Sequence, residues 1–163
     1  MQQLPLKQKV AKCLPFLQRA GLVSDPPPCD AGPYLSEILA AAGDRVKIAG
    51  DVLDYDDFYT PDDRLAYDAA ALQKRIAKPQ AARELLAAFS KALDGVEAFE
   101  AAALEAMLHA FVEHRGVKSG DIVHAVRVAI TGKAVGFGLF DALEILGRQR
   151  CQRRIARALE LAR

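Results

Sequence analysis

The sequence predicts an all-α protein: a helical array of two small subdomains, with no Rossmann-type core. Three observations carry this. Ala and Leu dominate, Trp is absent and 52% of the residues are hydrophobic, a composition that favours helices over sheets and supplies a core. Apolar residues recur at helical spacing in several windows. No stretch shows the period-2 alternation of a half-buried strand.

The elements follow in order. Residues 5–20 read as a helix, with Pro5 in its first turn and Val10, Leu14 and Leu17 on one face. Gly21 ends it, and "SDPPPCDAGP" is a loop because consecutive prolines cannot continue a helix. Pro33 starts a second helix that runs to about Ala42. "GDRVKIAGDVLDYDDFYTPDD" breaks its apolar clusters with Gly and Asp, so short helices and turns are expected there, pinned by Tyr55, Phe58 and Tyr59. Residues 62–76 are expected to form a helix opening on an acidic first turn, which suits the helix dipole. Pro79 opens the next helix, with Leu85, Leu86, Phe89 and Leu93 on one face and Asp94-Gly95 at its close. In residues 98–114, Leu104, Met107, Leu108 and Phe111 trace the clearest amphipathic stripe, stopped by Gly116. The remainder divides into helices over about 119–131, 138–147 and 149–162, with Ser119 as a candidate N-cap. The expected subdomains are residues 1–78 and 79–163.

Charge narrows the function classes. The net charge is only +1, yet residues 115–163 carry ten Lys and Arg against four acids, while residues 51–63 carry six Asp and no base. Such a bipolar chain offers a local basic face to an anion. The three Cys have no CxxC spacing, which argues against a disulfide framework or a zinc site and for a reducing cytoplasm. No apolar run approaches the ~20 residues of a membrane span. There is no phosphate-binding Gly loop, no G-x-S-x-G and no HExxH among His109, His114 and His124, so neither a catalytic site nor a cofactor is nominated. Asp54, Asp56 and Asp57 do not start a calcium loop, since the required Gly and Glu positions hold Tyr59 and Leu65.

Two segments can bind. On the last helix, Cys151, Ile155 and Leu159 form an apolar face, and Arg150, Arg153, Arg154 and Arg157 lie around the other. That charged face is either simply solvated or a phosphate-tracking surface. In "HAVRVAITGKAVGFGLFDALEILG", His124, Arg127 and Thr131 share a stripe opposite Ile122, Val126, Ala129 and Ile130. Gly136-Phe137-Gly138 makes a turn beside it. One reading is a platform for unstacked RNA bases. The other is a surface Arg, with Phe137 packed inside.

These residues resemble the C-terminal anticodon-binding domain of bacterial-type glutamyl-tRNA synthetases. That family carries K-x-G-x-x-x-x-P-L-R-x-A-x-T-G, a Gly/Pro turn, then L-x-x-x-L-x-x-L-G and a basic helix. Lys118, Gly120, Arg127, Ala129, Thr131, Gly132, Leu139, Leu143, Leu146, Gly147, Arg150, Arg154, Ile155, Ala158 and Leu159 follow that order and spacing. "VAKCLPFLQRAGL", "GDRVKIAGDVLDYDDFYTPDD" and "YDAAALQK" are similar to upstream family segments, so the resemblance spans nearly the whole chain. Ala125 and Val126 stand where the family has Pro and Leu, and the usual Pro of the following turn is replaced around Phe137.

The resemblance implies an α-helical cage that grips the anticodon loop of tRNA, most specifically tRNA(Glu). It assigns base contacts to Arg127 and His124, with Thr131 and the Gly136-Phe137 turn beside them, and implies Arg45 as reader of the first anticodon base. Lys118, Lys133, Arg150, Arg153 and Arg157 are the candidate phosphate contacts, and Arg154 fits an internal pair equally well. The His-x-Gly-His and Lys-(Met/Leu)-Ser-Lys-type motifs of the synthetase core are absent from the chain, so aminoacylation by this chain alone is not expected. The chain then reads as a free-standing paralogue or an excised domain, partnered by tRNA and by a synthetase catalytic chain if that is separate. No membrane or DNA partner is expected. The rival reading is a domain that has lost tRNA and docks to a protein.

Overall fold

The computed structural model describes residue 1 and residues 3–163. Among the described residues, eight α-helices are α1 (Leu6–Arg19), α2 (Ala31–Ala42), α3 (Ala69–Leu72), α4 (Gln80–Ala92), α5 (Ala101–Arg115), α6 (Ser119–Thr131), α7 (Leu139–Leu146) and α8 (Arg148–Leu161). Short 3-10 segments and one π-helical turn join them, and no strand occurs among the described residues. The chain folds as two units, Met1–Thr60 and Pro61–Arg163. The boundary expected from sequence, at 78/79, lies within the second unit.

In the first unit, α1 packs on α2 and on a 3-10 segment, Ala49–Phe58. Cys13, Leu17, Leu35, Ile38, Leu39, Val52 and Phe58 are its core. The Tyr34 hydroxyl donates to the carbonyl of Phe58 (2.9 Å), and the Tyr34 and Tyr59 rings meet edge to face at 5.5 Å. One acid of the Asp-rich stretch serves the backbone. The Asp51 carboxylate accepts the N–H groups of Lys47 (2.8 Å) and Ile48 (3.0 Å). These bonds favour its charged form and hold its carboxyl below the ordinary Asp value.

In the second unit, α6 lies against α4 and α8, while α7 packs on α5 and α8. Ile122, Val126, Ala129 and Ile130 of α6 are buried. This is the apolar face expected from their spacing. Phe89, Leu104, Leu108, Leu143, Cys151 and Ile155 complete this core.

The helix expected over residues 62–76 forms only from Ala69. The Asp68 carboxylate caps α3 by accepting the Ala71 N–H (2.7 Å), and a π-helical turn, Gln73–Ala77, follows. Residues 62–68 stay open because tertiary partners claim their polar groups. The Asp62 carboxylate is held by arginines of α8, the Asp63 carbonyl accepts from Arg157, and the Asp68 N–H donates to the Gly132 carbonyl (2.8 Å). An acidic first turn suits a helix only while its carboxylates are not needed elsewhere.

Candidate nucleic-acid interface

Arg127 sits midway along α6, half-buried, where the apolar face gives way to the polar one. Its guanidinium donates to the carbonyl of Phe137 at 2.7 Å, which ties the side chain to the 133–138 turn. Gly136 keeps that turn slim: a Cβ there would lie 3.5 Å from the same guanidinium nitrogen. One nitrogen is committed to the turn, and the planar fork is thereby oriented. His124, one turn earlier on α6, is exposed.

Two residues of the expected platform serve another purpose. The Phe137 ring is 3% exposed, so it packs into the core and is no stacking surface. Its burial is what anchors the turn whose carbonyl holds Arg127. Thr131 is also buried: its hydroxyl donates to the Arg127 carbonyl (2.8 Å) and accepts the Lys133 N–H (3.2 Å). It closes the helix end rather than facing a ligand.

The basic face of α8 is also more structural than its spacing suggests. Asp62 accepts from Arg154 Nε (2.7 Å), Arg150 Nε (3.1 Å) and Arg153 Nε (2.8 Å). The Arg154 side chain is fully buried and donates a second bond to the Ile130 carbonyl at 2.6 Å. Tyr67, whose phenol burial pushes up to about 12, places its hydroxyl between the carbonyls of Ala129 (3.0 Å) and Arg154 (3.1 Å). Arg157 donates to the Asp63 carbonyl. Among the phosphate candidates, then, Arg150, Arg153 and Arg157 each make an internal bond, while Lys118 is exposed and Lys133 half-buried. Asp62 and Tyr67 escaped sequence reasoning. The one available signal was the Arg150, Arg153, Arg154 cluster, which needs a counter-charge from somewhere in the fold.

That cluster sets an acid limit on stability. Burial alone raises the Asp62 carboxyl, but hydrogen bonds from Arg154, Arg153 and Arg150 outweigh it and hold it below the ordinary Asp value. A carboxyl depressed on folding stabilises fully above its unfolded-state value of about 3.9 and loses that contribution as pH falls through the folded-state value. Urea midpoints at pH 7, 5 and 3 should therefore fall mainly between the last two. A fall mainly between pH 7 and 5 contradicts this account.

Arg45, in the first unit, ends the 3-10 turn Gly43–Arg45. It is exposed, with a long 3.4 Å bond to the Ala42 carbonyl.

A helical unit that holds an oriented, half-buried Arg at the edge of an apolar helix face suits a nucleic-acid-binding domain, and comparison with known proteins specifies which. The chain belongs to the "Anticodon binding domain" family, whose model matches residues 8–159. It is 35% identical to the glutamate–tRNA ligase of Moorella thermoacetica over 145 residues, covering 89% of this chain and 29% of that protein. The glutamate–tRNA ligase of Roseiflexus castenholzii is also 35% identical, over 99% of this chain and 32% of that protein. A crystal structure of a glutamate tRNA ligase from Elizabethkingia meningosepticum, in complex with its amino acid, shares the fold. Its TM-score is 0.83 at 20% identity, over 99% of this chain and 30% of that chain. The chain thus spans about a third of the length of the curated relatives it matches, and corresponds to their C-terminal anticodon-binding domain. Among the described residues, no helix is long and apolar enough to cross a membrane.

Proposed function

We propose that this chain is a cytoplasmic tRNA-binding module that reads the anticodon loop of tRNA(Glu) and does not aminoacylate alone. The observation that carries this reading is Arg127: the residue at the family's base-contact position has its guanidinium aimed by the Phe137 carbonyl, 2.7 Å away. An Arg fork suits a base edge, and pre-orientation lowers the cost of ordering it on binding. His124 on the same helix and Arg45 in the first unit supply further base contacts. Lys118 and Lys133 meet phosphates, with the outer edges of Arg150 and Arg153. The glutamate-activating chemistry belongs to a catalytic partner, as a separate chain or a further domain.

Labelled tRNA(Glu) titrated at ~50 and ~200 mM salt tests the reading, because phosphate contacts make affinity fall steeply with salt. Arg127→Ala is expected to weaken Kd by about five- to 150-fold, the 1–3 kcal/mol of a lost base contact. Arg127→Lys should rescue little, since Lys lacks the planar fork. Lys118→Ala should instead lower the salt slope by about one. No binding at low salt sinks the RNA reading and leaves docking to a protein partner. Glutamylation of tRNA by this chain alone overturns its non-catalytic part.

A further inference from the structure

We infer that Asp62 is a positioning residue for RNA binding: its carboxylate sets the guanidinium groups of Arg150 and Arg153 for the phosphate backbone. The role rests on the tRNA reading, in which those two arginines meet phosphates and Asp62 has no part. Arg150, Arg153 and Arg154 stand at i, i+3 and i+4, on one side of α8. Each donates its Nε to Asp62. Arg154 (2.7 Å) and Arg150 (3.1 Å) share one carboxylate oxygen, and Arg153 (2.8 Å) takes the other.

Three cations on one carboxylate are more than folding requires. The fully buried Arg154 needs a counter-charge, and Asp62 supplies it. That pair balances itself, so Arg150 and Arg153 leave a positive surplus beside it. Their side chains are 26% and 59% exposed, and ion pairs in contact with water add little stability. The surplus suits an anion. Among the described residues Arg153 makes no bond besides the one to Asp62. The carboxylate thus fixes one edge of a rigid planar fork and leaves its other N–H donors to solvent. The cluster also adjoins the end of α6, where Arg154 donates to the Ile130 carbonyl at 2.6 Å. Arg127 and Lys133 stand three residues to either side of Ile130, so a backbone that engages both passes close to the cluster. Fixing an exposed arginine on a ligand costs side-chain entropy, and Asp62 meets that cost at folding. Its own charge opposes a phosphate. The two effects have opposite signs, and a neutral isostere separates them.

The probe is tRNA(Glu), titrated at ~50 mM salt and again at ~200 mM, where phosphate contacts weaken. Asp62→Asn keeps the shape and removes the charge. Positioning predicts binding about five-fold weaker, as an ordering cost returns to the arginines. A carboxylate that only masks charge predicts tighter binding. The double variant Arg150→Ala, Arg153→Ala should lower the salt slope by about two, and Asp62→Asn added to it should cost nothing further. The Tm of each variant shows that folded protein is titrated. If Asp62→Asn unfolds the chain, Asp62→Glu takes its place: it keeps the charge, moves the carboxylate by one methylene, and should weaken binding only while Arg150 and Arg153 are present. Unchanged or tighter binding, a loss that persists without the two arginines, or an unchanged salt slope in the double variant overturns the positioning role and leaves the Arg127 reading standing. Failure of wild-type protein to bind tRNA(Glu) at low salt overturns both.

Discussion

Asp62→Ala is expected to cost about 3–5 kcal/mol of folding stability, among the largest effects of any single truncation in this chain. Breaking a buried ion pair from one side strands the other charge. Here the charge left without its carboxylate is the fully buried Arg154 guanidinium, which also donates to the Ile130 carbonyl at 2.6 Å. The converse change is milder. In Arg154→Met, Asp62 keeps Arg150 and Arg153, and its side chain is 13% exposed, so water reaches the carboxylate. The methionine stem refills much of the space. Urea unfolding should thus rank wild type above Arg154→Met and both above Asp62→Ala. The reverse order shows that the cluster is held by packing of the arginine stem rather than by the carboxylate. Arg153→Ala serves as control: it removes a 59% exposed partner, and exposed pairs contribute about 0–1 kcal/mol.

This cluster marks where the sequence stops being legible. Fold class and helix order follow from local spacing, and α6 runs over the expected residues, up to the stop at Gly132, because its apolar period and terminal glycine are local signals. The course of residues 62–68 depends on partners 62 to 94 positions away, such as Ala129 on Tyr67 and Arg157 on Asp63. No window of sequence contains both ends of such a bond. The same holds for the site. Arg127 is legible as part of a polar stripe with His124 and Thr131, opposite the apolar face of its helix. That Phe137 is buried, and presents its carbonyl rather than its ring, follows from the path of the 133–138 turn, and a Gly-Phe-Gly stretch is compatible with either outcome.

Gly132→Ala is the second large effect, expected at about 3 kcal/mol or more. The residue ends α6 in the left-handed region at φ +74°, where a side chain costs on the order of 1–3 kcal/mol. A Cβ there would also drive into the carbonyl oxygen of Ala66, a backbone atom that no rotamer change removes. The displacement does not stay local. The Gly132 carbonyl accepts the Asp68 N–H at 2.8 Å, and Asp68 caps α3 through the Ala71 N–H at 2.7 Å. Tyr67, between the two, holds its hydroxyl on the carbonyls of Ala129 and Arg154. Pushing residues 66–68 away therefore strains the cap of α3 and the tie between α6 and α8 together. Gly116→Ala separates the two causes. Gly116 is left-handed as well, at φ +63°, but its Cβ would meet nothing within 4 Å. It should lose only the conformational part. Equal urea midpoints for the two alanine variants would show that the Ala66 backbone yields easily and that glycine stands at 132 for its φ alone.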